Sequence, residues 1–287
     1  AYDSSQWRRY ILSARSHNTV MVDGLEQNRR SQPRDTFVVK KPLEGQYALG
    51  EDFDYAWGVY NEGYGPKNDR SVTHTRKVLF VKPEFWLVTD FLTASDDREH
   101  RYESLFHFDT DLAEVDAATK SVATRIPGGP NLALVPLATD GLDVSIVKGQ
   151  EKPVVQGWLP AGGFKCRPIA APIFTKSGKG TTVMAYVFYP MQPPAGSKPA
   201  GGFALPIVKA EPLPVTSNGA PVSDAFAAKL SFRDGRVSFF VQSLTPGRTL
   251  AFSDFTTDGE AAFVELDPHG KPTRTIVVNG SFARLRP

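Results

Sequence analysis

The stretch Arg101-Tyr102-Glu103-Ser104-Leu105-Phe106-His107-Phe108-Asp109 alternates strictly. Tyr102, Ser104, Phe106 and Phe108 fall on one face, and Glu103, Leu105 and His107 on the other, which is the side-chain period of a β-strand. Hairpins surround it. Ser71 to Lys82 and Glu84 to Leu92 flank Lys82-Pro83-Glu84, where proline sets a turn dihedral and stops the first strand. Ala227 to Arg233 and Arg236 to Gln242 flank Asp234-Gly235, whose residues both tolerate the positive φ of a two-residue turn. Ala261 to Asp267 and Thr273 to Val278 flank Pro268-His269-Gly270-Lys271.

Helices have little room in this pattern. The chain holds 24 glycines and 23 prolines in 287 residues, and a proline inside a helix costs about 3 kcal/mol. The helix-like windows are Asp111 to Thr124 and Ser223 to Leu230. Short strands between turn signals predict an all-β chain, a large antiparallel β-sandwich with few short helices. No repeat or linker divides it, so residues 1–287 read as one domain. Pro190 to Pro206 is a Pro/Gly/Ala/Ser-rich excursion, ordered or semi-rigid. Glu51 to Arg70 reads as an aromatic-rich loop carrying Phe53, Tyr55, Trp57, Tyr60 and Tyr64.

Composition removes several function classes. Hydrophobic residues make up 41% and the formal net charge is +2, so the chain can bury a core and is not a disordered segment. A two-charge excess does not support nucleic acid as a partner. A single cysteine, Cys166, excludes an internal disulfide framework and a thiolate zinc cluster. The longest apolar runs, such as Val183 to Tyr189, are far too short to span a membrane. Gly-rich phosphate loops, His-Glu-x-x-His and Gly-x-Ser-x-Gly are absent from the sequence. The chain begins Ala1-Tyr2-Asp3-Ser4-Ser5 without an initiator methionine or a basic-then-apolar leader, which leads us to expect a processed chain or a piece of a longer one.

Chemistry-bearing residues concentrate toward the N-terminal part. Trp7-Arg8-Arg9-Tyr10 combines arginine forks with aromatic faces, a pattern suited to an anionic sugar; the alternative is an arginine-decorated edge strand. Arg9 is therefore a candidate substrate-binding residue. His74 and Arg76 share one strand face and form either a cationic pair for a carboxylate-bearing ligand or a solvated face. Tyr60, in the aromatic loop, either stacks on a sugar or packs within the loop. His17 opens the strand Thr19 to Asp23 and by itself reads as structural rather than as a ligand. His107 faces surface or cleft, and His100 and His269 sit in turn-like, exposed contexts.

The run Trp7-Arg8-Arg9-Tyr10 … Ser16-His17-Asn18-Thr19-Val20-Met21-Val22-Asp23-Gly24-Leu25-Glu26-Gln27 resembles the C-terminal β-sandwich of the heparinase II/III-like polysaccharide lyases. Arg76 to Val81 with Trp86 to Asp90 is similar to that family's hairpin ending in an aspartate. Phe106-His107-Phe108 and Gly157-Trp158 to Pro172 also fit in position. The resemblance implies a two-part bacterial enzyme, periplasmic or secreted, in which an N-terminal α/α toroid precedes the sandwich. It implies β-elimination at a uronic acid of an acidic polysaccharide such as alginate or a glycosaminoglycan. It places His17 as one ligand of a structural zinc whose other ligands lie upstream, and Tyr2 near a catalytic tyrosine facing the substrate. Arg9 and His74 match no assigned family position and stand as cleft candidates. The toroid and its acid/base residues being absent from this sequence, the isolated chain is expected to be catalytically silent. A non-catalytic carbohydrate-binding sandwich or a purely structural domain is the alternative.

Overall fold

The computed structural model describes residues 4–27, 45–162, 165–192 and 205–286. An eight-stranded antiparallel sheet runs from edge to edge through Gly45–Leu49, Phe53–Tyr60, Val72–Val81, Phe85–Ala94, Thr181–Met191, Asn131–Pro136, Val122–Thr124 and Ala113–Val115. One of its faces packs on a four-stranded sheet ordered Val20–Val22, His100–Leu105, Ala170–Gly178 and Leu142–Lys148. Its other face packs on a five-stranded sheet ordered Ile207–Leu213, Ala225–Phe232, Val237–Ser243, Ala261–Leu266 and Pro272–Val278. A second five-stranded sheet, containing Val215–Ser217, Leu250–Phe252 and Phe255–Thr257, covers the far side of the first. The all-β antiparallel sandwich is thus built as four stacked layers.

Period-two patterning explains the three seams. In Val237–Ser243, Phe240 enters the seam with the eight-stranded sheet, and Phe239 and Val241 enter the seam on the opposite side. Ala261 and Phe263 alternate in the same way with Ala262 and Val264. Thr181–Met191 sends Ala185 and Val187 to one seam and Met184 and Tyr186 to the other. A strand buried on both faces reads as a continuous apolar run, which is why Val183 to Tyr189 lacks alternation. Fully buried aliphatic and aromatic side chains contribute roughly 1.5–3 kcal/mol each, so Phe85, Leu87 and Phe263, all at 0% exposure, anchor the central seam.

The hairpins fall where the turns place them: Val72–Val81 with Phe85–Ala94, Ala225–Phe232 with Val237–Ser243, and Ala261–Leu266 with Pro272–Val278. Tyr102, Ser104, Phe106 and Phe108 are all buried, as the alternation requires. Both helix-like windows are strands instead. Within Asp111 to Thr124, Ala113–Val115 pairs with Val122–Thr124, and Asp116 Oδ1 accepts the amides of Ala118 and Thr119 to turn the chain. Within Ser223 to Leu230, the alanine-rich segment favours helix locally but belongs to Ala225–Phe232, pressed between two sheets. Glu51 to Arg70 is likewise no loop throughout, because Phe53–Tyr60 is a strand of the large sheet. Most of Pro190 to Pro206 lies outside the described residues.

The α-helix found is Gln6–Leu12, capped by Ser5, whose Oγ accepts the Arg8 amide at 3.3 Å. It replaces the edge-strand alternative for Trp7 to Tyr10. Tyr10 is its buried residue, and Trp7 meets Trp158 edge-on with ring centres 4.8 Å apart. Among the described residues, no helix is long and apolar enough to cross a membrane.

Candidate functional site

The seam between the four- and eight-stranded sheets buries a charged cluster around Asp90. Antiparallel pairing sets Arg76 opposite Asp90 and His74 opposite Leu92 on adjacent strands. Asp90 is fully buried. Its Oδ1 lies 2.7 Å from His74 Nε2 and accepts from Arg76 Nε at 2.7 Å, while Oδ2 accepts from Arg76 Nη2 at 2.8 Å. Burial opposes ionisation of Asp90, but the adjacent Arg76 and His74 outweigh it and hold the carboxyl well below the usual carboxylate range. The sharing of a face by His74 and Arg76 is therefore real, and the carboxylate they meet is the protein's own. His74 is only 5% exposed, which overturns the solvated-face alternative.

Arg76 also reaches across the seam, donating from Nη1 to the Asn18 carbonyl at 2.6 Å. That contact ties the sheet to the turn bearing His17. His17 is exposed, and its Nδ1 lies 2.7 Å from the Ser13 carbonyl and 3.0 Å from Ser16 Oγ. A carbonyl only accepts, so Nδ1 carries the proton, and Nε2 is the ring nitrogen left for a metal. One imidazole is not a zinc site, which needs about four donors. Among the described residues, no group of three His, Cys, Asp or Glu side chains stands together to hold an ion. The donor type of His17 fits zinc, but the described residues do not complete a site.

His107 braces the same turn. Its Nε2 is 2.9 Å from the Arg15 carbonyl and its Nδ1 3.0 Å from Asn18 Oδ1. Burial pushes the imidazole down to about 4, despite the opposing bond to Arg15, so it stays neutral near pH 7. His107 is thus packed beneath that turn, neither open surface nor part of the pocket lining among the described residues. His269 is exposed as expected. His100 is not: at 1% exposure it lies between Asp23, with Nδ1–Oδ2 at 2.7 Å, and Asp96, with Nε2–Oδ1 at 2.9 Å.

A pocket of about 410 Å³ opens at the polar end of the seam. It brings together two of the proposed substrate-binding residues, Tyr60 and His74, which face each other across paired strands. Asn18, Thr19, Gln27, Gly45, Gly58, Val59 and Arg76 also line it. Tyr60 donates its hydroxyl to the Gly63 carbonyl at 2.6 Å, fixing the ring. Arg9 does not line this pocket; it is exposed on the helix and donates to the Ser4 carbonyl at 2.8 Å. Tyr2 lies outside the described residues. Asp90, Asn18 and Gln27 were not among the residues read as site candidates. For Asp90 the signal was present, because equal steps back and forward from Pro83 reach Arg76 and Asp90, the pair that the hairpin joins.

The sequence profile of the family described as Heparinase II/III-like, C-terminal, matches residues 1–185. No curated protein sequence matches the chain. Among solved structures, a heparan sulfate lyase, HepC from Pedobacter heparinus, superposes with a TM-score of 0.55 at 16% identity, over 98% of this chain and 33% of that one. A heparinase III with methylated lysines gives 0.55 at 13% identity, over 85% of this chain and 32% of that one. At such identities the likeness is one of fold. The chain spans about one third of the length of these structures.

Proposed function

The chain belongs to the heparinase II/III-like C-terminal family, and from that membership we propose that it is the β-sandwich portion of a polysaccharide lyase cleaving uronic-acid-containing glycans by β-elimination. The family match over residues 1–185 carries this reading, and the polar seam beside the His17 turn supports it. The reaction has three demands: neutralising the uronate carboxylate, removing the C5 proton, and protonating the departing O4. In this reading Tyr2 belongs to the proton-transfer machinery and faces the substrate. Arg9, His74 and Tyr60 bind substrate, with Arg76 and Asp90 holding His74 in a fixed, charge-balanced setting. The N-terminal toroid supplies the remaining acid/base groups, and the complete protein works in the periplasm or outside the cell.

His17 is the residue of this chain assigned to a structural zinc, completed by ligands that the described residues do not include. Zinc would hold the turn rigid, a task this chain already performs in part through the Ser13 carbonyl, His107 and Arg76.

The test is ultraviolet absorbance from unsaturated uronate when a complete protein containing this chain is given alginate, heparin-type and chondroitin-type substrates. Product from at least one is expected, with none from residues 1–287 alone. Absence of product from every acidic glycan with the complete protein would sink the lyase reading.

A further inference from the structure

The chain leaves the eight-stranded sheet at the end of Phe85–Ala94 and enters the four-stranded sheet at His100. The connection, residues 95–99, therefore closes one end of the seam between the two sheets. Three segments meet there. Ser95 donates its amide and its hydroxyl to the Ser71 carbonyl, at 2.8 and 3.1 Å, just ahead of Val72–Val81. Arg98 Nη2 donates to Asp69 Oδ2 at 3.1 Å and to Ser71 Oγ at 3.2 Å. Asp23, directly after Val20–Val22, accepts the Arg101 amide on Oδ1 at 2.8 Å and gives its own amide to the Arg101 carbonyl at 2.7 Å. His100 lies at the centre, with Asp23 on Nδ1 and Asp96 on Nε2.

The geometry fixes the protonation of that ring. An ionised carboxylate only accepts, so with one at 2.7 Å and another at 2.9 Å both ring nitrogens carry protons. Loss of one proton leaves a nitrogen lone pair facing a carboxylate oxygen, and that contact breaks. The two aspartates are not held equally. Asp23 makes the shorter contact and is fixed by two bonds to the Arg101 backbone. Asp96 sits on the connection itself, and its other partner is Arg98, whose side chain is 59% exposed. Exposed ion pairs hold little. The neutral ring therefore keeps Nδ1–H on Asp23 and gives up Asp96. The other groups around the ring do not take over. Tyr102, with ring centres 6.2 Å apart, stays neutral because burial pushes its hydroxyl up to about 12. Gly178, opposite His100 on the next strand, brings no charge. Asp69 lies beyond Arg98, and Arg101 pairs with Glu103 at 2.9 Å.

We propose that His100 is a pH-operated latch on this sheet-to-sheet connection: the imidazolium holds residues 95–99 against the Asp23 turn, and the neutral imidazole releases them. The end of the seam is then closed in acid and neutral solution and loosened in alkali, while Val20–Val22 stays paired with His100–Leu105.

The experiment follows the ring nitrogen and backbone amide resonances of residues 1–287 by NMR from pH 5 to pH 9. At low pH both His100 ring nitrogens are expected to carry protons, and at high pH Nδ1 alone. The Asp96, Asp97 and Arg98 amides should shift with the same midpoint. Their order parameters should fall from about 0.85 toward values below about 0.6, the passage from rigid to flexible backbone. Those of Asp23 and Arg101 should stay rigid. Asp96→Asn separates a latch from a bystander histidine. Asparagine can donate its amide N–H to Nε2 of the neutral ring, so the connection should stay rigid across the whole range and the His100 midpoint should move to lower pH. Three results would each overturn the proposal: a wild-type connection that keeps its order parameters while His100 titrates, a ring that holds a single proton throughout, and an Asp96→Asn connection that loosens at the wild-type midpoint. Should that variant not fold, the wild-type titration decides alone.

Discussion

Arg76 and Asp90 sit directly opposite each other on adjacent strands, and the guanidinium grips the carboxylate side-on, with Nε–Oδ1 at 2.7 Å and Nη2–Oδ2 at 2.8 Å. Because Asp90 is completely buried and serves His74 as well, the pair is the electrostatic centre of the seam below the pocket. Removing one member leaves the other's charge desolvated and unmatched. Asp90→Asn is expected to cost about 3–5 kcal/mol of stability, measured by denaturant unfolding at pH 7. A loss under about 1 kcal/mol, the range of an exposed pair, would show that the seam is far wetter than its geometry implies.

The same carboxylate sets an acid limit. Its folded pKa lies below the unfolded value, so the unfolded state takes up the proton first. The stabilisation is complete above the ordinary carboxylate value of about 4 and is lost progressively as pH falls below it. Melting temperature measured from pH 7 down to pH 2 should therefore fall more steeply in the wild type than in Asp90→Asn. Parallel curves would assign the acid sensitivity to other carboxylates.

His100 gives a pH dependence of opposite sign. Burial works against its charge, but the hydrogen bonds it donates to Asp96 and Asp23 outweigh burial and raise its pKa above the usual value. The folded state then holds the proton more tightly than the unfolded chain does. The contribution is full below about pH 6.5, the unfolded value, and is lost as pH rises through the raised folded value. His100→Gln should lower stability at pH 6 and flatten the decline between pH 6 and pH 9. Equal slopes for the two proteins in that interval would show that His100 is neutral throughout.

Much of the fold was legible because its information is local. Asp234-Gly235 and Lys82-Pro83-Glu84 specify turns, and their flanking alternation specifies strands, whatever lies across the seam. The failures share a cause. His100 reads as a turn residue because Asp23, which buries it together with the nearby Asp96, joins it only when Val20–Val22 pairs with His100–Leu105. The alanines of Ala225–Phe232 favour helix until two sheets claim opposite faces of the segment. His74 and Arg76 were readable as a pair, but the buried aspartate between them depends on hairpin register. The pocket was not readable, since Asn18 and Gln27 meet Gly58 and Arg76 only once the strands pair and the sheets stack.

Gly157 tests a backbone constraint next to this region. Its φ is +75°, and a Cβ there would lie 2.6 Å from the Val147 carbonyl oxygen and 2.9 Å from the Lys148 Cα. Those contacts are backbone and cannot swing aside. Gly157→Ala is expected to destabilise by more than about 1 kcal/mol, since both the dihedral and the contact oppose it. Gly141, with φ +62° and nothing within 4 Å among the described residues, should tolerate alanine better. Equal losses at the two positions, measured by thermal unfolding, would leave only the dihedral as the cause.

The central seam contains a second buried ion pair, Lys77 with Glu260, joining the large sheet to the C-terminal layers. Glu260 also accepts from Tyr55 Oη at 2.8 Å and from Asn279 Nδ2 at 2.7 Å. Burial pushes the Lys77 ammonium down; it also opposes ionisation of Glu260, where the bonds from Lys77 and Asn279 prevail and hold the carboxyl low. Lys77→Met strands a carboxylate and Glu260→Gln strands an ammonium, so each alone should cost about 3–5 kcal/mol. The combination Lys77→Met with Glu260→Gln removes both charges and keeps an acceptor for Tyr55. It should therefore cost clearly less than the sum of the single changes, by at least about 1 kcal/mol in a double-mutant cycle. Additive losses in denaturant unfolding would mean that the two groups do not sense each other, and that the C-terminal layers are held on the large sheet by apolar contacts such as Phe85 with Phe263 alone.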